Sequence, residues 1–364
     1  MRWIGVLGLL GMLLTGPLGV AQSAPQATVV MDASGDGSHR LRGPRGVVTD
    51  DAGNVYVVGL MSHNAFRIAP DGTVTQLIDA EGDGKGNALR SPRSLAVDRE
   101  GNVFVAGERS DTVFRVTPGG KITLVLGPEG DGQGAPVDHP SNVAVDSAGN
   151  LYVASQVSYT VHKVTPAGEV TTLVNGKRTD VPYQIRRPNG LAIDASGNVF
   201  TVGAKTNNAL RIAPDGGVIE IASRIGASDG HGLHFPNDAA VDAAGNLYIC
   251  GNNSANVLRV KPTGEVDQLA PPALEGMALA ACSSLDVRPD GTVYFTRLGE
   301  YSLWRIAPDG AVDLLLRRDE GWGPSGKIGS PRAVAIDRSG NLFVSGFGSH
   351  QVYRLDAEAL AASP

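Results

Sequence analysis

Arg45, Arg93 and Arg332 each directly follow a proline, at matching places in separate copies of one repeated segment. Other copies carry Ser141, Asn189, Asn237 and Ser283 at that place. If the chain closes into a ring, the three arginine copies become neighbours. A guanidinium keeps its proton, so three together demand a counter-charge, and its planar fork suits bidentate bonds to carboxylate, phosphate or sulfonate. One position further along, Asn142, Asp238 and Ser284 face the opposite sector. A second column reads His63, Asp111, Tyr159, Asn207, Ala255, Tyr301 and His350. It puts His63, His350 and Asp111 on the same three copies as the arginines. The expectation is a site for an anionic or polar ligand, with the imidazoles and carboxylate above the guanidiniums. A divalent metal on His63, His350 and Asp111 is the competing chemistry, which positive neighbours disfavour. The plainest alternative is a set of solvated loop residues with no common partner.

Such columns need a rigid repeat to hold them. The stretch from Ser91 to Leu126, SPRSLAVDREGNVFVAGERSDTVFRVTPGGKITLVL, reads as four short strands: 94–97, 103–106, 112–116 and 121–126. Each is β-branched or aromatic and bounded by Gly, Pro, Asp or Asn, the pattern of strands and tight turns. The turn glycine recurs as Gly53, Gly101, Gly149, Gly197, Gly245, Gly291 and Gly340, at steps of 48, 48, 48, 48, 46 and 49 residues. Asn follows in every copy except one, where Thr292 stands. A four-stranded meander cannot bury both faces alone and must stack on copies of itself. Seven copies at this period predict an all-β, seven-bladed β-propeller of four-stranded antiparallel blades. The last copy, from Pro331 to Leu355, stops after a third strand, whereas Ala27–Met31 matches the end of a repeat. The N-terminal strand is therefore expected to complete the seventh blade and close the ring, removing an open sheet edge.

The repeat resembles the NHL-repeat propeller family. The resemblance rests on PRSLAVDREGNVFV at 92–105, PNGLAIDASGNVFT at 188–201 and the third-strand signature FRI, FRV, HKV, LRI, LRV, WRI and YRL. It covers nearly all of the chain after the leader. The family includes sensor and interaction domains as well as lyases, so the resemblance implies the fold more firmly than the chemistry. Streptogramin-inactivating propellers use His and Glu with a magnesium ion on W-F-T-E-type strands. Here the corresponding strands end VVG, VAG, VAS, TVG, ICG, FTR and VSG, although Glu108 and Glu300 follow nearby. A gluconolactonase-type hydrolase would place Glu, Asn and Asp around one ion, and only Asn142 and Asp238 come near that pattern. A binding module for a small anion, peptide or protein partner is the leading expectation. A lyase-like or lactonase-like enzyme is the alternative.

The remaining features set the context. Residues 1–23 read as a signal peptide, with Arg2 before the apolar run Ile4–Leu14 and small residues at 21–24. The propeller is assigned to 24–358 and a tail to 359–364. The expected location is periplasmic or extracellular, with no membrane span after cleavage and a monomeric state. With 31 basic against 37 acidic residues, the composition offers no general case for nucleic acid. Cys250 and Cys282 end up on adjacent blades and the same face. In an oxidising compartment they are candidates for a disulfide, provided that the blade spacing lies within its reach. No cofactor is called for. The D-x-x-G-D-G loops lack the acidic spacing of an EF-hand, so calcium there is a minor reading.

Overall fold

The computed structural model describes residues 25–223, 232–270, 273–274, 277–278, 281–318, 322 and 327–361. The expected leader, His231 and the last three residues of the tail lie outside these. Seven four-stranded antiparallel sheets form the propeller. The first blade comprises Pro44–Thr49, Val55–Gly59, Asn64–Ile68 and Val74–Ile78, and the next five repeat this order. The seventh consists of Pro331–Ile336, Leu342–Gly346, Gln351–Leu355 and the N-terminal Thr28–Met31. Thr28 pairs with Arg354 and Val29 with Tyr353, so the closing strand sits where the repeat count requires it.

The leading proline belongs to the inner strand: Pro92 pairs with Gly107, and the ladder shifts before Ser94. This irregularity recurs at Pro44, Pro140, Pro188, Pro236 and Pro331, and at Cys282 in blade six. Proline cannot donate to a ladder, so the bulge both accommodates it and re-aims the next side chain. That next side chain is the arginine column.

Packing explains why the second strands are built almost entirely of apolar, aromatic or small residues, with Arg297 of blade six the exception. Every residue of Val55–Gly59 is buried, and the same holds for its six counterparts. Alternate side chains point to opposite faces of a strand. Val55 and Val57 accordingly join a cluster with Ala335 and Phe343 of blade seven, whereas Tyr56 and Val58 join Leu95 and Val105 of blade two. Each blade interface has one such cluster, so neither face of any sheet can be left without its neighbour.

The turn carboxylates act as the sequence suggests. Asp50 Oδ1 accepts from the Ala52 and Asn54 amides at 3.0 and 2.8 Å, and Oδ2 accepts from Asn54 Nδ2 at 2.8 Å. Blade six replaces this Asp with Arg288, which donates to the Gly340 carbonyl of blade seven at 2.5 Å and lies over the Tyr294 ring. Asp290 takes over the turn by accepting from the Thr292 amide. At the C terminus, Ala357–Ala361 forms a short helix with Leu360 buried against the last blade, so the expected tail is partly built into the core. Among the described residues no helix is long and apolar enough to cross a membrane.

Cys250 and Cys282 form a disulfide with a Cα–Cα distance of 5.5 Å, fully buried between blades five and six. The cysteine at the leading-proline position is thus a staple for the most divergent blade. Two predictions follow from these junctions. Deleting residues 25–34 should lower stability by several kcal/mol, on the order of a lost strand with its packing, and an unchanged thermal midpoint would refute closure by this strand. Thiol titration of unreduced, denatured protein should find no free thiol, and Cys282→Ala should cost roughly 3 kcal/mol in chemical denaturation.

Candidate functional site

The inner strands run parallel around a central channel with a cavity of about 510 Å³. Arg45, Arg93, Arg332, Asn142 and Asp238 all line it, together with Ser141, Asn189, Asn237, Ser283, Ser284 and Asp286. The volume lies within the range of small-molecule sites. The seven residues after each leading position form one level, and that level divides in two. In the neutral sector the side chains tie successive blades together. Ser141 Oγ donates to the Pro188 carbonyl (2.9 Å), Asn189 Nδ2 to Asn237 Oδ1 (3.3 Å), Asn237 Nδ2 to the Ser283 carbonyl (2.5 Å) and Ser283 Oγ to the Arg332 carbonyl (3.2 Å).

The arginine sector is not tied this way: among the described residues none of its three guanidiniums donates to the next blade, and each adds a positive charge to its donors. Arg93 pairs with Glu108 at 3.0 Å, with side chains 13% and 20% exposed. Arg332 lies over the Phe347 ring at 5.4 Å, and its Nε has no hydrogen-bond partner. The Arg45 carbonyl accepts from Ser345 Oγ at 2.8 Å, but its guanidinium makes no hydrogen bond or ion pair among the described residues. Burial, then the Arg93 and Arg332 charges, push its pKa well down, with Glu108 opposing and Arg187 adding to the effect. Arg332 is likewise pushed down by burial and by Arg93. The three guanidiniums therefore do share one electrostatic environment. Arg187 joins them from the mouth, held by Gln156 Oε1 at 3.2 Å and by the face of Phe235.

Across the channel stand two carboxyls. Asp238 accepts from Ser284 Oγ at 2.7 Å and from the Leu285 amide at 3.2 Å, both in the next blade, and from the Ala239 amide. Asp286 accepts from the Ile336 amide of blade seven at 2.9 Å and from the Val287 amide. Burial pushes each pKa up to about 6, against those hydrogen bonds; Arg93 further opposes the shift at Asp238, and the Asp238 charge adds to it at Asp286. Asp286 was not anticipated. Its column reads Val48, Ala96, Ala144, Ala192, Ala240, Asp286 and Ala335, so one carboxylate among small apolar residues was the signal available.

The loop column is placed elsewhere. His63, His350 and Asp111 do not line the channel cavity. All seven residues of that column adopt left-handed backbone, with φ between 51° and 62°. This conformation turns the side chain towards the next blade. His63 Nδ1 accepts from the Ser91 amide (3.0 Å), Asp111 Oδ1 from the His139 amide (2.8 Å), Asn207 Oδ1 from the Phe235 amide (2.8 Å) and His350 Nδ1 from the Gly43 amide (3.1 Å). Each of those amides belongs to the residue before the leading position of the following blade. The column is a set of latches between blades, and accepting at Nδ1 leaves the imidazole proton on Nε2. The expectation that the imidazoles cap the arginines is corrected by this geometry. Sequence spacing gives the blade and the loop but not the backbone handedness that aims the side chain.

Two further clusters have local explanations. Asp111, Asp138 and His139 bring potential metal-ligand atoms within 4.8 Å of one another, but Asp138 already takes His139 Nδ1 at 2.7 Å and Asp111 takes its amide. In the D-x-x-G-D-G loops the second Asp accepts main-chain amides: Asp36 from Ser38 and His39, and Asp83 from Lys85 and Asn87. The glycine before it is forced, since a Cβ on Gly82 would lie 1.9 Å from the Asn87 carbonyl oxygen.

No protein-family model matches the chain, and no curated protein sequence matches it. Solved structures do resemble it. Virginiamycin B lyase from Staphylococcus aureus superposes with a TM-score of 0.70 at 13% identity, over 91% of this chain and 99% of that one. YCF48 from Cyanidioschyzon merolae gives 0.65 at 14% identity over 92% and 99%. XC5397 from Xanthomonas campestris, described as a gluconolactonase, gives 0.52 at 14% identity over 92% and 95%. At such identities these likenesses establish a shared propeller fold alone.

The latches generate a stability prediction. His63→Ala strands the Ser91 amide and should cost about 1–2 kcal/mol. His63→Asn should retain most of that stability, because Asn tolerates left-handed backbone and already serves as Asn207 in blade four. Equal urea midpoints for wild type and His63→Ala would refute the latch.

Proposed function

We propose that this propeller is a binding module that captures a small anionic ligand at the arginine sector of its channel mouth. The observation that carries the reading is Arg45: a charged group recessed in a cavity, beside Arg93 and Arg332, with no counter-charge of its own. A bound carboxylate, phosphate or sulfonate would supply that charge through bidentate hydrogen bonds and relieve the repulsion. The ends of the second strands support binding over the lyase or lactonase alternatives. They are Gly59, Gly107, Ser155, Gly203, Gly251, Arg297 and Gly346, none carrying the glutamate of the lyase pattern, and no inner strand carries the glutamate of the lactonase pattern. We further propose that the repeats are of the NHL type, on the motifs given above. Export to an oxidising compartment is supported by the N-terminal leader pattern and by the buried disulfide.

Sulfate is the simplest probe, since it keeps both charges across the useful pH range. Titration calorimetry should detect sulfate binding to the wild type, weakening as sodium chloride rises. Arg45→Met with Arg332→Met should reduce the affinity at least about tenfold, one unit of 1.4 kcal/mol. The thermal midpoint of the unliganded variant should equal or exceed that of the wild type, because like charges have been removed. Sulfate affinity unaffected by the double substitution would refute the site.

The acids give the reading a pH dependence with a defined sign. Asp238 and Asp286 have folded pKa values near 6, above the ordinary carboxylate range, so both gain protons as pH falls through about 6. Asp238 faces Ser284, the Ala239 and Leu285 amides and Arg93; Asp286 faces the Val287 and Ile336 amides and Asp238. Neutralising them leaves the arginine charge less compensated. Sulfate should therefore bind more tightly at pH 5 than at pH 7.5, and Asp238→Asn with Asp286→Asn should flatten that difference.

A further inference from the structure

The channel is not uniformly basic. Its arginines occupy one level and one sector, whereas Asp286 lies three residues further along the inner strand of blade six. At a strand rise of about 3.3 Å per residue, that offset is roughly 10 Å along the channel. Asp238 stands between the two levels, one residue beyond the arginine level, and is close enough to Arg93 for each to shift the other's titration. All of these groups line the same cavity. A ligand carrying only negative charge would meet the arginines favourably and the two carboxyls unfavourably. A ligand with a negative end at the mouth and a positive end deeper would satisfy both.

The hydrogen bonding leaves room for such a cation. Asp286 accepts one amide on each carboxylate oxygen, Val287 on Oδ1 and Ile336 on Oδ2. Each oxygen has a second lone pair, and an ammonium has three donors to offer. No basic side chain pairs with Asp286 or Asp238 at salt-bridge distance among the described residues. The neighbouring inner-strand positions at the Asp286 level are Ala240 and Ala335, too small to block an approach.

We infer that the channel recognises a linear zwitterion, a short peptide whose free carboxylate sits among Arg45, Arg93 and Arg332 and whose free α-ammonium reaches the Asp286 and Asp238 side. An extended chain spans at most about 3.3–3.6 Å per residue, so a separation of roughly 10 Å corresponds to about three residues. Asn142, one residue beyond the arginine level, lines the cavity and offers an amide donor and acceptor to the peptide groups between the charges. This inference rests on the anion-binding reading and adds the second charge and the spacing.

Three probes separate the two ideas: trialanine, N-acetyl-trialanine and trialanine amide, titrated into the full folded protein by calorimetry. Trialanine should bind at least about tenfold more tightly than the acetylated peptide, and the amide should bind weakest. Asp286→Asn, with its thermal midpoint measured alongside, should weaken trialanine about tenfold and strengthen the acetylated peptide, since one negative charge leaves the channel. Asp238→Asn serves as the second variant if Asp286→Asn does not fold. Equal binding of the free and acetylated peptides, both sensitive to Arg45→Met, would overturn the zwitterion and leave the anion site standing. Failure of trialanine, its acetylated form and sulfate alike to bind would overturn both.

Discussion

A blade whose second strand is buried on both faces cannot stand alone, and this need governs the rest of the molecule. Val55 and Val57 require blade seven, Tyr56 and Val58 require blade two, and the same demand passes from sheet to sheet. Only a closed ring satisfies it everywhere. The chain reaches closure by placing Thr28–Met31 beside Gln351–Leu355, which joins its two ends in one sheet. A break at that seam would expose an apolar face and an open strand edge together.

Closure also creates the channel. Seven inner strands of one length come into register, so each position of the repeat becomes a level in a narrow bore. Substitutions that would be minor on an isolated sheet are concentrated there. Three arginines at one level crowd their charges in a recessed space, where burial and mutual repulsion act in the same direction. Four neutral residues at that level knit their blades by hydrogen bonds. One level holds both a hydrogen-bonded half and a charged half, and the difference lies in whether its side chains tie to the next blade or carry a positive charge.

The loops illustrate how a fold reassigns polar residues. A left-handed residue between the second and third strands costs strain, and it recurs in every blade. In four blades the side chain repays it by accepting a main-chain amide of the next blade that would otherwise lack a partner. His, Asp and Asn fill this role because each tolerates that backbone and carries a short acceptor. Imidazoles near a basic mouth therefore serve the joint between blades.

The period near 48 residues, the Asp–Gly–Asn turns and the complementary strand counts at the two termini were enough to determine seven blades and their closure. These features are local or additive: a strand and a turn are specified by a few residues, and a ring by their number. The convergence of Arg45, Arg93 and Arg332 followed from the same counting, since position in a repeat becomes position on a level. What counting could not supply was direction. The backbone of His63, His350 and Asp111 turns their side chains into the blade joints, and a φ sign is not written in residue spacing. Glu108 reached Arg93 through loop geometry, and Asp286 entered the channel through a departure at a column of small residues. The bridge between Cys250 and Cys282 depended on the distance between two blades. Each of these is a relation in space within or between blades, and so the tertiary structure alone decided it.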